Sequence, residues 1–311
     1  MIQPVDPHSN SPDKNPYLDA LQEVIEQEVR RHNSKPDPAM GGLSPEQAYS
    51  LLYSRWGEPG SMVQFERNLN LELLNTSSIF RRARLLLLAI AEAGGVKATV
   101  GKNLNRKFVE SFVSHAFDRE DHAWFWQLSK KLDEMDVWAL HVIRVVCEQA
   151  KLLRLYKGTF RVPENKRSIL SDGAAADLFR LLFVTFCRKF NISYFHPRGP
   201  ERSFFQRGLG YTIYRIGVLA PDWFPVDGLA SRVMLPAEYS RFISAIRDNP
   251  YQDAEDVFSC DVSRPLIEWG LIEAQRAPSA YSYVEGDIEK IRTTALYRAL
   301  LRFESLVAVK L

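Results

Sequence analysis

The chain has 311 residues, 46% of them apolar and 25% charged, enough to bury one large core or two to three smaller ones. Its 40 basic residues face 38 acidic ones, a formal charge of +2. That balance excludes a global pull toward nucleic acid or membrane and leaves only local electrostatics to consider.

The three cysteines, Cys147, Cys187 and Cys260, are far apart and set in apolar surroundings. They read as buried thiols of a reduced, cytoplasmic compartment, not as disulfides or zinc ligands. Residues 1–16 are rich in Pro, Ser, Asn and Asp and lack an apolar signal core. Too little apolar surface is available there to offset ordering, so disorder is expected. The longest apolar run, Leu85–Ala91, falls far short of the roughly 18–20 residues of a membrane helix.

Leu18, Leu21, Val24, Ile25 and Val29 recur at helical spacing and predict a helix over 17–32. HNSKPDPAMGG follows as a linker. Ser44-Pro45-Glu46-Gln47 is a helix start: Ser44 can cap, Pro45 suits the first helical position, and Gln47 sits where a capping box closes. That helix carries Ala48, Leu51 and Leu52 and breaks at 55–59; residues 62–76 have no clear pattern. A helix over 79–93 ends at Gly94-Gly95. Val96–Val100 has β character, Gly101-Lys102 can turn, and Asn103 can cap a helix carrying Phe108, Val109, Phe112, Val113 and Phe117. Residues 121–133 place Trp124, Phe125, Leu128 and Leu132 on one helical face.

A helix over 137–150 leads into a strand at 152–156. Lys157-Gly158 makes a turn, 159–162 returns, and Pro163 stops the pairing. Helices over 164–171 and 174–190 come next, then others near 203–216, 226–233, 236–247, 251–260 and 263–270. Leu271–Ala274 and Ile288–Arg292 read as strands around APSAYSYVEGD, and a helix is expected over 293–303.

Three stretches, 79–117, 142–171 and 264–303, share one order: an apolar helix, a β hairpin with a Gly near its turn, and an amphipathic helix. The expected fold is predominantly α with small β hairpins (α+β), built from tandem winged-helix-like units. The boundaries expected are 1–16 disordered, 17–43 helix and linker, 44–136 and 137–190 two units, 191–262 a helical connector, and 263–311 a third unit. The third, LIEWGLIEAQ…IEKIRTTALYRALLRF, resembles the end of a winged helix-turn-helix domain, with Tyr297 standing where a Gly is often found. Many such domains only pack against proteins, so the resemblance implies architecture and no activity. GLSPEQAYSLLY together with VGKNLNRKFVESF also resembles an uncharacterised bacterial group, over roughly 43–190. Its members pair a G-L-S-P-E helix with a later Gly, Leu, Arg and Val-bearing segment. The group has no established activity, so it implies only a shared fold.

The functional signal is charge. Arg81, Arg82, Arg84, Lys97, Lys102, Arg106 and Lys107 face Glu92 alone in 81–107. Lys151, Arg154, Lys157, Arg161, Lys166 and Arg167 face Glu164 alone in 151–169. Both clusters lie on a hairpin and its flanks, where a basic wing can follow a phosphate backbone. The alternative is a solvated basic face balanced by acidic neighbours at 118–136 and 248–261. The helices preceding the wings are too apolar to read bases, since base contacts need polar side chains in the groove.

Other chemistries are weaker. His115, Asp118, Asp121 and His122 cluster in sequence, and on one continuous helix His115, Asp118 and His122 would share a metal-competent face, but Asp118–Asp121 reads as a helix boundary. His141 lies among apolar residues and reads as packed; His196 precedes a proline in a loop. Glu164-Asn165-Lys166 fits half a nuclease signature without a carboxylate on a preceding strand. In SYFHPRGPERSFFQRGLGYTIYRI, Arg198, Arg202 and Arg207 alternate with Tyr194, Phe195, Phe204, Phe205 and Tyr211, a pattern of single-strand stacking or of a packed helix with arginines at its rim. No catalytic set, metal or cofactor is implied. The leading expectation is a non-enzymatic, regulatory protein binding DNA or RNA backbone with little base specificity. The rivals are a protein scaffold with an acidic partner and a cryptic metal-dependent enzyme. No membrane partner is expected.

Overall fold

A computed structural model of the chain describes residues 16–118, 125–127, 129–192, 203–247, 253–278 and 286–304. The expected disordered segment therefore lies, apart from Pro16, outside the described residues. The chain divides into two units, Met1–Tyr49 and Ser50–Leu311.

In the first unit, helix α1 (Pro16–Asn33) follows the predicted 3.6-residue spacing and buries none of its residues. The linker is a 3-10 turn, Pro38–Met40, started by Asp37, whose carboxylate accepts the Ala39 N–H at 2.8 Å. Helix α2 (Pro45–Tyr53) opens with the predicted capping box. Ser44 Oγ accepts the Gln47 N–H at 3.3 Å, and the Gln47 side chain accepts the Ser44 N–H at 2.9 Å.

The second unit begins within α2 and continues with strand β1 (Val63–Phe65) and helices α3 (Leu71–Leu74) and α4 (Ser78–Glu92). Asn70 and Ser77 cap these helices. Strand β2 (Val96–Lys97) and helix α5 (Arg106–Ala116) follow, with Asn105, not Asn103, as the cap. Of the predicted helix 121–133, residues 125–127 are helical. Leu132 is buried in irregular chain before a 3-10 turn at Glu134–Asp136, and Trp124 and Leu128 lie outside the described residues. Helix α6 (Trp138–Gln149), strands β3 (Arg154–Tyr156) and β4 (Thr159–Arg161), a 3-10 helix (Glu164–Leu170) and helix α7 (Ala175–Arg188) complete this half.

The other half holds α8 (Ser203–Leu219), β5 (Phe224–Pro225), α9 (Leu229–Val233) and α10 (Pro236–Ile246). Then α11 (Ala254–Phe258) runs through a π turn (Ser259–Ser263) into α12 (Arg264–Glu268). Strands β6 (Ile272–Arg276) and β7 (Ile288–Thr293), helix α13 (Ala295–Leu300) and strand β8 (Leu301–Phe303) close the chain. The fold is predominantly α with small antiparallel sheets, as expected.

The sheets redraw the expected boundaries. The first stretch, 79–117, does not form its own hairpin: β2 pairs with β4, Val96 against Phe160 and Lys97 against Thr159. The turn after β2 closes with a single bridge between Ala98 and Leu104. The division between 44–136 and 137–190 therefore cuts one sheet, ordered β2-β4-β3. Two residues cannot bury Val96 alone, whereas against the fully buried Phe160 they can. The expected connector 191–262 likewise supplies β5 to a second sheet, ordered β5-β7-β6, with Pro225 on the edge strand where its missing N–H costs no ladder bond. The expected helix 293–303 stops at Leu300, and β8 pairs with β1, Val63 against Phe303.

Both halves pack on α7. Phe179, Phe183 and Phe186 surround the fully buried Trp269, at ring centroid distances of 5.3, 5.1 and 5.5 Å. Phe80 of α4 meets Phe179 at 5.2 Å. Tyr297, in place of the expected glycine, is accommodated by Gly217 of α8, where a Cβ would lie 1.9 Å from the tyrosine oxygen. The hydroxyl donates to the Ile213 carbonyl at 2.9 Å, and burial pushes its pKa up. Removing the central ring leaves a cavity where the two halves meet, so Trp269→Ala is expected to cost about 3–5 kcal/mol, read from the urea unfolding midpoint. Trp269→Phe keeps most of the contacts and is expected to cost less.

Candidate nucleic-acid interface

The β2-β4-β3 sheet is held in place from behind by one carboxylate. Glu134 is 1% exposed. Its Oε1 accepts from Arg144 Nε at 2.7 Å and faces His141 Nδ1 at 2.6 Å; its Oε2 accepts the Leu104 N–H at 2.5 Å. Arg144 also donates to Glu148 and lies 5.2 Å from the Phe160 ring centroid. Burial by itself raises a carboxyl pKa. Here the bonds from His141 and Leu104 and the Arg144 charge outweigh it and hold Glu134 below its ordinary value. Burial pushes Glu148 the other way. His141 stacks on Trp138 at 5.1 Å and belongs to this buried cluster.

The other face of the sheet points outward. Register partners share a face. Val96, Phe160 and, half-buried, Leu155 form the inner row. Lys97, Thr159 and Tyr156 form one outer row, and Arg161 with Arg154 lies one step along the same face. Arg154 and Arg161 are directly opposite each other. The hairpin turn uses Lys157 and Gly158, with φ of 47° and 71°, the conformation a two-residue hairpin requires. Its tip lies beside the 99–103 turn, since Gly158 O accepts the Ala98 N–H at 2.8 Å. Lys102 sits in that turn with φ 60°. Tyr156 is exposed, with Arg154 at 5.6 Å and Lys157 at 5.5 Å from its ring. At the sheet's other end Arg154, Arg161 and Arg167 line a cleft of about 290 Å3 with Glu164 and the end of α4. Lys166 faces an open groove of about 640 Å3 together with Arg67 and Arg180.

The two basic segments thus meet on one sheet face through Lys97, Arg154 and Arg161, with Lys102 and Lys157 at its turns and Arg167 in its cleft. Other predicted cations are not part of it. Arg82 is buried with its guanidinium 4.1 Å from the Phe117 ring. Arg84 donates to the Leu170 carbonyl at 3.0 Å and pairs with Asp172. Arg106 forms a fork with Asp133 at 3.0 and 3.1 Å. Arg82 is enclosed by the fold, and the charges of Arg84 and Arg106 are each paired with a carboxylate, the Arg106 pair at the surface. Arg81 is exposed near the start of α4, about 14 Å along the helix from the cleft. Lys107 is exposed on the first turn of α5, and Lys151 in the turn after α6, with φ 59°.

Residues 75–175 match the Y4jL N-terminal domain family. This Y4jL-like span covers about a third of the chain and holds the entire β2-β4-β3 sheet. No curated protein and no solved structure matches the chain.

Within the Y4jL-like span, α6 immediately precedes the hairpin, and its only exposed residue is Gln149 at its end. It offers no surface for base reading. The second sheet also differs in charge. Its Arg292 stands opposite Glu273 at 2.7 Å and lies 4.5 Å from the Trp223 ring centroid. Tyr156 is the residue that sequence reasoning passed over. Its only signal was a tyrosine at an outward strand position beside two cations.

The remaining candidates fall elsewhere. Helix α5 ends at Ala116, so Asp118 is off the helix that carries His115; Asp121 and His122 lie outside the described residues. Among the described residues no group of three or more His, Cys, Asp or Glu is placed to hold a metal ion. Before Glu164, strand β4 presents Arg161 outward, not a carboxylate. Phe205 is buried against Phe242 and Phe258, and Tyr211 is buried too, so neither forms a stacking platform; Arg207 is exposed. Tyr194, Phe195, His196, Arg198 and Arg202 lie outside the described residues. Cys147 and Cys187 are buried free thiols whose pKa burial raises; Cys260 is free and half-buried. Among the described residues no helix is long and apolar enough to cross a membrane.

Glu134 carries a pH prediction. A carboxylate whose folded pKa is depressed stabilises above its unfolded value and loses that contribution as pH falls through the folded value. Acid unfolding is therefore expected to steepen below the ordinary value of 4.5. Glu134→Ala, which leaves Arg144 with one carboxylate, is expected to cost about 3–5 kcal/mol at pH 7 and to flatten that acid limb. Denaturant titrations at several pH values read both effects.

Proposed function

We propose that the protein is a non-enzymatic nucleic-acid-binding or regulatory protein of the cytoplasm. It holds the phosphate backbone on the outer face of the β2-β4-β3 sheet and has little base specificity. The observation that carries the reading is the convergence of Lys97, Arg154 and Arg161 on one exposed sheet face, with Lys157 at the hairpin tip. Affinity there comes from neutralised phosphates and falls with salt.

The element order supports the same reading. From α4 to β4 the chain runs helix, strand, helix, helix, strand, hairpin, strand, and the sheet order is first, third, second. That is the arrangement of a winged helix-turn-helix domain. The sheet order recurs in β5-β7-β6, where four helices, α9 to α12, separate the first strand from the second. Before the β3-β4 wing, helix α6 is covered, which leaves the wing and the sheet face as the contact surface. Tyr156 adds a ring on which a sugar or base can stack. An acidic protein partner is the second reading. It is favoured by the same covered helix, since a face without base readout serves a protein equally well.

Fluorescence anisotropy with random double- and single-stranded DNA and with RNA, titrated in salt, separates the two. Binding at about 50 mM salt is expected to weaken log-linearly with salt. Reversing Lys157, Arg161 and Arg167 to glutamate is expected to weaken it and reduce the salt slope by about 2–3. No binding at that salt removes the phosphate reading. Tyr156→Ala is expected to cost single-strand affinity by about 1–3 kcal/mol and duplex affinity less.

A further inference from the structure

The cleft at one end of the sheet is more specific than the face beside it. Arg154 and Arg161 stand opposite each other on adjacent antiparallel strands, where like charges repel. Arg167 enters the same cleft from the 3-10 helix Glu164–Leu170. Among the described residues none of the three arginines is in an ion pair. Ile90, Ala91 and Gly94 at the end of α4, with Val162, form the walls. About 290 Å3 lies at the lower edge of small-molecule sites. A cleft of that size has room for a headgroup and not for a larger ligand.

Charge selects the headgroup. Three guanidiniums face one carboxylate, Glu164, and the carbonyl end of α4, which acts as about half a negative charge, leaving a net of about +1.5. A phosphodiester within a strand carries a single charge and two free oxygens. A phosphomonoester carries about −1.5 to −2 at neutral pH and three free oxygens, matching three planar forks. We infer that the Arg154, Arg161 and Arg167 cleft binds a phosphomonoester, as the end of a nucleic-acid strand or as a free phosphorylated metabolite. The inference rests on the reading that this face takes phosphate, but the two fail separately. Glu164 is the internal rival of the ligand.

The test compares one short single-stranded oligonucleotide with a free and with a phosphorylated 5′ end, by anisotropy. Calorimetry with inorganic phosphate and a nucleoside monophosphate accompanies it. The phosphorylated end is expected to bind about 10-fold tighter, the scale of one charge-assisted contact. Arg154→Gln and Arg167→Gln are each expected to remove most of that ratio, and Glu164→Gln to widen it. Arg154→Gln also relieves the opposed pair, so its thermal midpoint is expected at or above that of the unaltered protein. Should it unfold, Arg167→Gln, outside the sheet, carries the comparison. Monophosphate binding without oligonucleotide binding, lost in Arg167→Gln, supports the cleft with a free metabolite as its ligand and removes nucleic acid as the partner. Equal affinity for both ends with no monophosphate binding overturns the cleft, and the backbone reading stands if the oligonucleotide still binds. A preference for phosphorylated ends that both arginine variants retain also overturns it.

Discussion

Glu134 ties together pieces of chain that are distant in sequence. It accepts from the Leu104 amide in the turn after β2 and from Arg144 on α6, and it faces His141 on the same helix. A carboxylate this deep is costly unless its lone pairs are met by charged or polar donors, and here they are. The result is positional. With the turn at 98–104 fixed to α6, β2 lies beside the hairpin that follows α6. Two basic segments some 60 residues apart then share one sheet. Arg144 extends the tie to the strand itself by reaching the Phe160 ring. The outward face rests on an ionic arrangement that is largely buried.

Much of the helical frame was legible because helices announce themselves locally. The capping box at Ser44 and Gln47, the Gly94-Gly95 stop and the Lys157-Gly158 turn are all decided within a few residues. The two hairpins were legible too, but the strands that complete the sheets were not paired by the sequence, because a two-residue strand such as Val96–Lys97 or Phe224–Pro225 has no period of its own. Its partner lies 60 or more residues away. Leu301–Phe303 continued an apolar helical pattern and became a strand only because β1 offered it a ladder. Tertiary pairing overrode local propensity there.

The charged residues show the same division. Counting cations marked two segments, yet counting cannot separate Arg161, which faces solvent, from Arg82, which lies over Phe117. Arg84 and Arg106 are neutralised by Asp172 and Asp133, residues outside the two basic stretches. Whether a basic run forms a surface depends on where its counter-ions fold, and sequence distance does not carry that information.

The two three-stranded sheets act as controls for each other. In the second, the arginine on β7 stands opposite a glutamate on β6, the pairing that stabilises a ladder. In the first, an arginine stands opposite an arginine. The first half also contains all three non-glycine residues with left-handed backbone among the described residues, and each is a lysine: Lys102, Lys151 and Lys157. That conformation costs a side chain about 1–2 kcal/mol, and asparagine or glycine would adopt it more cheaply. Two of the three flank the sheet face, at the turn beside β2 and at the hairpin tip. A sheet that keeps opposed arginines and left-handed lysines, while its counterpart keeps neither, departs from local stability repeatedly and in one direction. Every departure leaves a cation, and two of them, Arg154 and Arg161, share the outer face of the sheet. Strain of that kind, gathered at one face, is what a surface kept for binding an anion would carry, which is the reading proposed for it.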